Sequence, residues 1–170
     1  YTQAGTVTLN PVIENPSYFT IAPPNAVINL PTNNNNIATQ NFCITPNGVH
    51  NDVEVIIVPI GVARPGFDAD YKIIYKNKGN QTLSGTINFQ FNDAILDYIT
   101  ANPLVSSQSL NNLSWNYSNL QPFETKIIGV VLNLNSPIET PAVNSGDILN
   151  YTVTNTITNT DEMLSDNTFV

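Results

Sequence analysis

Tyr71-Lys72-Ile73-Ile74-Tyr75-Lys76 and, a little further on, Thr86-Ile87-Asn88-Phe89-Gln90-Phe91 decide the fold class. In the first stretch Tyr71, Ile73 and Tyr75 fall on one side, with Lys72 and Lys76 opposite. In the second, apolar and neutral polar residues alternate strictly. A side-chain period of two is the signature of a strand with one buried face. Working outward, Ile128, Val130, Leu132 and Leu134 make another such face. Leu149, Tyr151 and Val153 make a further one, interleaved with Thr152, Thr154 and Thr156. Residues 53–60 are apolar on both sides apart from Glu54, which predicts a strand covered on both faces or one at a domain junction.

Turn chemistry separates these runs: Asn47-Gly48, Arg64-Pro65-Gly66, Lys78-Gly79-Asn80, Asn102-Pro103, Gln121-Pro122 and Ser145-Gly146-Asp147. Many short strands at this spacing, with no 3.6-residue pattern of helical length, predict an all-β sandwich or barrel. Residues 92–100, with Ala94, Ile95, Leu96, Tyr98 and Ile99, read as one helical turn or a bulged strand. A domain boundary is expected near Asp52. Residues 1–52 carry short strands around 6–9, 18–21, 26–30 and 39–44, with Pro-rich turns and an Asn tract at 33–36 that reads as a solvated loop. So small a β-segment makes a marginal core alone. It reads as either the tail of a preceding domain or strands packed on the main sandwich, which takes residues 53–170.

Composition narrows the function. Only 11% of residues are charged, while 41% are hydrophobic and asparagine fills about one position in six. The formal net charge is -8, with only five Lys and Arg together. Counterion release from phosphates needs clustered cations, so nucleic acid and anionic membrane surfaces are excluded as partners. No apolar run reaches the length of a membrane-spanning helix. Cys43, the single cysteine, cannot form an internal disulfide, and in Phe42-Cys43-Ile44 it reads as a buried small hydrophobe. The beginning at Tyr1 lacks a charged and then apolar leader, so the chain reads as an excised or processed piece of something longer.

A resemblance sharpens this. Asn41-Phe42-Cys43-Ile44-Thr45, Asn47-Gly48-Val49-His50-Asn51-Asp52 and the run from Arg64-Pro65-Gly66-Phe67 to Asn77-Lys78-Gly79 resemble an immunoglobulin-like module of large secreted proteins of the Bacteroidetes, particularly flavobacteria. The strand ending in Asn77-x-Gly79, the later Leu113-x-Trp115 strand and Leu120-Gln121-Pro122-Phe123-Glu124 are similar to repeat domains of bacterial adhesins. The first 40 residues look like the tail of a prealbumin-like repeat. The resemblance implies an immunoglobulin-like β-sandwich with an appended N-terminal β-segment, export by the type IX system and display on the cell surface. It carries no catalytic residues to transfer.

Candidate chemistry is sparse. A Ser-His-Asp triad would have to use His50, the only histidine, which sits in turn chemistry and reads as a linker or cap. Asp68 and Asp70 share one strand face and cannot straddle a glycoside, and nothing singles out Asp93 or Asp97. The chain is therefore expected not to be an enzyme and to need no cofactor. Calcium, bound by carboxylate and carbonyl oxygens, is the one metal worth testing, with Asp68, Asp70, Asp161, Glu162 and Asp166 as candidate ligands. Trp115 and Tyr117 share a strand face and are the candidate sugar platform, although a Trp on a sandwich strand is usually core. The expected role is a spacer, adhesion or assembly module of a cell-surface protein or filament, with neighbouring domains or subunits as partners. The alternative is a carbohydrate-binding accessory domain of a secreted enzyme, with glycans as its partner. Both ends are expected to leave strand edges that neighbours complete.

Overall fold

The computed structural model describes residues 4–32 and 36–170. Positions 33–35 of the expected Asn loop lie outside the described residues. The chain separates into two compact units, Tyr1–Val49 and His50–Val170.

The first unit holds β1 (Gly5–Leu9), a single 3-10 turn (Pro16–Tyr18), β2 (Phe19–Ala22), β3 (Ala26–Leu30) and β4 (Cys43–Pro46). β1 pairs with β3 and β2 with β4, giving two antiparallel ribbons. Phe19, Ala26 and Leu30 are its buried apolar side chains. The strand expected over 39–44 starts only at Cys43, because its ladder runs no further than the four residues of β2. Cys43 is exposed, against the expectation of burial. All four residues of β4 are exposed, so neither face of this strand is covered at Cys43.

The second unit is an all-β sandwich. Its strands are β5 (Val53–Pro59), β6 (Asp68–Asn77), β7 (Leu83–Gln90), β8 (Leu96–Asn102), β9 (Ser107–Ser109), β10 (Asn112–Leu120), β11 (Thr125–Leu134), β12 (Thr152–Ile157) and β13 (Thr168–Phe169). One sheet has the order β5-β6-β11-β8 and the other β13-β12-β7-β10-β9. Lettered in chain order, β5, β6, β11 and β8 reproduce the A-B-E-D sheet of an immunoglobulin sandwich. β7, β12 and β13 reproduce C-F-G, and the β9–β10 hairpin is added beside β7.

Alternation dictates the core. Along β6, Ala69, Tyr71, Ile73, Tyr75 and Asn77 are buried in turn. Ile128, Val130, Leu132 and Leu134 of β11 meet them, and Ile87, Phe89, Leu113, Trp115 and Val153 line the facing sheet. Tyr75 packs on Tyr117 and Phe89 on Tyr151, at ring-centre distances of 5.0 and 5.6 Å.

Two sequence expectations are refined. Residues 92–100 divide between the two readings: the Ile95 N–H donates to the Asn92 carbonyl (3.1 Å) in one turn, and from Leu96 the chain is the bulged strand, where Thr100 faces Val131 and Tyr98 faces Leu132, leaving Ile99 as the extra residue of β8. β5 is an edge strand buried on one face only, through Val53, Val55 and Ile57, whereas Val58 is 37% exposed. Its run of apolar residues does not mark a strand covered on both sides.

Candidate functional site: a buried carboxylate cluster at one pole

The antiparallel ladders give the sandwich two poles. Val53 opposes Asn77 and Pro59 opposes Tyr71. In the other sheet, Asn155 reaches the Val53 carbonyl through its Nδ2 (3.3 Å), while Tyr151 packs on Tyr71. His50 therefore leads into the sandwich at the pole of Val53 and Asn77, the leading pole.

The local sequence builds that pole around a turn. Asn77 is fully buried, and its amide donates to the carbonyls of Gln81 (2.7 Å) and Leu120 (2.9 Å) while its Oδ1 accepts from the Gly79 N–H (3.0 Å). The N–H groups of Lys78 and Gly79 both donate to the Asp52 carbonyl, at 2.9 and 3.1 Å. A Cβ on Gly79 would stand 2.4 Å from the His50 carbonyl oxygen, so only glycine lets the two segments approach. The Asn-x-Gly pattern is thus a device for fastening the β6–β7 turn onto residues 50–52.

This fastening brings three carboxylates together. Asp52, Asp161 and Asp166 each place one oxygen within 4.8 Å of the other two. Asp52 is 1% exposed and Asp161 6%. Asp161 accepts from the N–H groups of Val53 (3.1 Å, Oδ2) and Met163 (2.8 Å, Oδ1). With its amide nitrogen turned inward, Asn167 donates to Asp161 Oδ2 (3.1 Å) and to the Val53 carbonyl (2.8 Å). Lys78 Nζ donates to Asp166 Oδ2 at 3.0 Å and lies 3.8 Å from Glu54 Oε2. At the rim His50 Nδ1 meets Glu162 Oε2 at 2.8 Å, and the Glu162 N–H donates to the Asn51 carbonyl.

Charge is unbalanced here, and the carboxylates feel it. Burial, reinforced by the negative charges of Asp166, Asp161 and Glu54 and only partly offset by Lys78, pushes Asp52 up from 3.8 to about 6. Burial works against the Lys78 ammonium, but the Asp166 hydrogen bond and the surrounding carboxylates outweigh it and hold its pKa above the ordinary value. Calcium takes six to eight oxygens; here the Lys78 ammonium already stands among the carboxylates and offsets part of their charge. Its geometry clamps the 158–167 loop to the start of β5.

The predicted candidates divide accordingly. Asp161 and Asp166 come together, and Glu162 pairs with His50 instead. Asp68 and Asp70 lie on the exposed face of β6, where Asp68 Oδ1 accepts from Asn133 Nδ2 at 2.6 Å. Asp52, the third member of the cluster, was not singled out, because its partners lie more than a hundred residues away with no local spacing to betray them. Trp115 and Tyr117 are both interior, 2% and 8% exposed. Trp115 Nε1 donates to the Pro103 carbonyl (3.0 Å) and the Tyr117 hydroxyl to Asn155 Oδ1 (2.8 Å). They form no surface platform. Asp93 lies in the turn before β8 and Asp97 within β8, opposite Asn133, and neither joins the cluster.

Comparison with known protein families finds no family that matches the chain, and comparison with curated proteins finds no match either.

Proposed function

We propose that the chain is an extracellular structural module, a spacer or assembly unit of a bacterial cell-surface protein or filament of the Bacteroidetes type IX class. One observation carries this reading. His50 leads into β5 at the leading pole, and residues 166–169 run beside β5 in the same direction, with the Asp166 carbonyl accepting from the Val55 N–H (3.0 Å) and Phe169 paired with Val153. A pull along these strands shears their contacts together. β5 alone spans about 23 Å at about 3.3 Å per residue.

The surface agrees with a displayed, weakly charged module, being rich in Asn, Thr and Ser. The carboxylate cluster agrees as well, since it fastens the strand that receives the chain to the loop preceding the last strand. A glycan array tests the reading against a carbohydrate-binding role. The expected result is no sugar-specific signal; saturable binding of one glycan, lost on substitution of a surface residue, overturns it.

A further inference from the structure

Gly129 sits in the middle of β11, between Lys72 of β6 and Asn102 of β8. Glycine inside a strand weakens it, and a strand glycine often marks the close approach of another group. For Gly79 and Gly85 that group is internal: a Cβ would stand 2.4 Å from the His50 carbonyl oxygen and 2.3 Å from that of Thr156. Gly129 has no such neighbour among the described residues. Its Cβ would come no nearer than 3.8 Å to the Asn102 carbonyl oxygen, and its φ is that of an ordinary strand residue. The side chain is missing on the outer face of the sheet. There it leaves a hollow of about 270 Å³, lined by Gly129, Val131, Ile60, Asp70, Lys72 and Thr100. The face around the hollow is apolar. The ladder registers set Ile56, Ile74 and Ile127 side by side in one row, and Ile127 is 51% exposed. The next row holds Val58, Lys72, Gly129 and Asn102. Glu54, Lys76 and Thr125 close the face beyond the isoleucines, and Ile60, Asp70, Val131 and Thr100 close it beyond the hollow.

We propose that the outer face of the β5-β6-β11-β8 sheet binds the same face of a second copy, with Ile127 of each copy seated in the hollow over Gly129 of the other. The face is complementary to itself. Let a second sheet lie face down on the first about a two-fold axis that crosses the strands at Ile128. Each strand then runs antiparallel over its own equivalent, and residue 127 faces residue 129 of the other copy. The projecting side chain meets the missing one, twice over. The same operation sets Ile56 over Val58 and Ile74 over the aliphatic stem of Lys72. It also sets Lys76 over Asp70 of the other copy, so opposite charges meet at both ends. Asp68 and Asp97 fall a row further out, at the rim. A second copy thus already carries both the knob and the charge pattern that the face demands. At about 4.8 Å per strand and about 3.3 Å per residue the face measures about 19 by about 23 Å, the size of a weak, reversible contact. A two-fold contact closes at the dimer. The proposal rests on the assembly-unit reading above and supplies its partner and its face.

Sedimentation velocity on the full chain, from micromolar to millimolar concentration, tests this. A monomer–dimer equilibrium is expected, with nothing larger. Gly129→Val fills the hollow without a clash inside the chain and places a strand-favouring residue in a strand. Its melting temperature should therefore hold or rise, while the dimer dissociation constant rises about tenfold or more. Asp70→Lys and Lys76→Asp should each weaken the dimer, because like charges then face each other across the two-fold. Mixing those two variants should restore it as a heterodimer. In the wild-type chain the amide signals of residues 127–131 should shift with concentration, and in Gly129→Val they should not. A chain that stays monomeric throughout overturns the proposal. So does a dimer that survives Gly129→Val, or a pair of charge variants that does not recover on mixing. A glycan-array signal that disappears in Gly129→Val would give the hollow to a sugar and overturn the pairing together with the spacer reading. A monomer that gives no such signal removes the pairing alone, so the two failures are distinct.

Discussion

Replacing Asp52 by Asn should change how stability depends on pH, by an amount that follows from the cluster. Burial and the neighbouring carboxylates raise this group from 3.8 to about 6, a gap of roughly two pH units worth about 3 kcal/mol at about 1.4 kcal/mol per unit. The folded chain holds the proton more tightly than the unfolded chain does. The stabilisation is therefore complete below about pH 4 and is lost as pH rises through about 6. Asparagine keeps the shape and stays neutral throughout. Urea unfolding of both proteins at intervals from pH 3.5 to pH 8 isolates the effect, because the other carboxylates titrate in both and largely cancel in the difference. Asp52→Asn minus wild type should grow in favour of the variant by about 2–3 kcal/mol between pH 4 and pH 7. A difference that is flat with pH, or one that moves in favour of the wild type as pH rises, would refute the electrostatic account of the cluster.

Other expectations concern the core and the cluster's cation. Tyr117→Phe leaves Asn155 Oδ1 without its buried donor and should cost about 1–3 kcal/mol by chemical denaturation, whereas a cost near zero would mean water replaces the hydroxyl. Phe89→Ala and Trp115→Ala should each cost about 3–5 kcal/mol, as cavities in a closed core do. An unchanged melting temperature for Trp115→Ala would contradict its interior placement. Chelation with EDTA should leave the melting temperature unmoved, because the Lys78 ammonium already stands among the carboxylates; a fall of several degrees restored by calcium would make Asp52, Asp161 and Asp166 metal ligands.

What could be read from the sequence and what could not divide along physical lines. The strands of the sandwich announce themselves because alternation is local: Tyr71, Ile73 and Tyr75 have one face to bury whatever lies opposite. Trp115 was legible as core for the same reason. Whether the second face of β5 is covered depends on what packs outside the sheet, and no property of Val58 or Ile60 reports that. Cys43 failed similarly, since an apolar tripeptide implies burial only where a second layer exists. The carboxylate cluster was half legible. Asp161 and Asp166 are close in sequence and were seen together, but Asp52 and Lys78 reach them through ladder registers that form only on folding. The Asn77-x-Gly79 pattern was visible as a motif, while its reason, the close approach of Gly79 to the His50 carbonyl, is purely tertiary.

The most direct test of the account is single-molecule pulling of the second unit along two axes. Between His50 and Val170 the load runs from pole to pole. There β5 and residues 166–169 lie side by side in the same direction, so it shears the contacts joining Val55 to Asp166 and Val53 to Asp161 together. Between Gly66 and Val170, both toward the far pole, the same strands are peeled apart one contact at a time. A structural module threaded in line should unfold in one event at a clearly higher force along the first axis than along the second. Equal forces, or a weaker response along the His50–Val170 axis, would contradict the assignment of this sandwich as a load-bearing spacer.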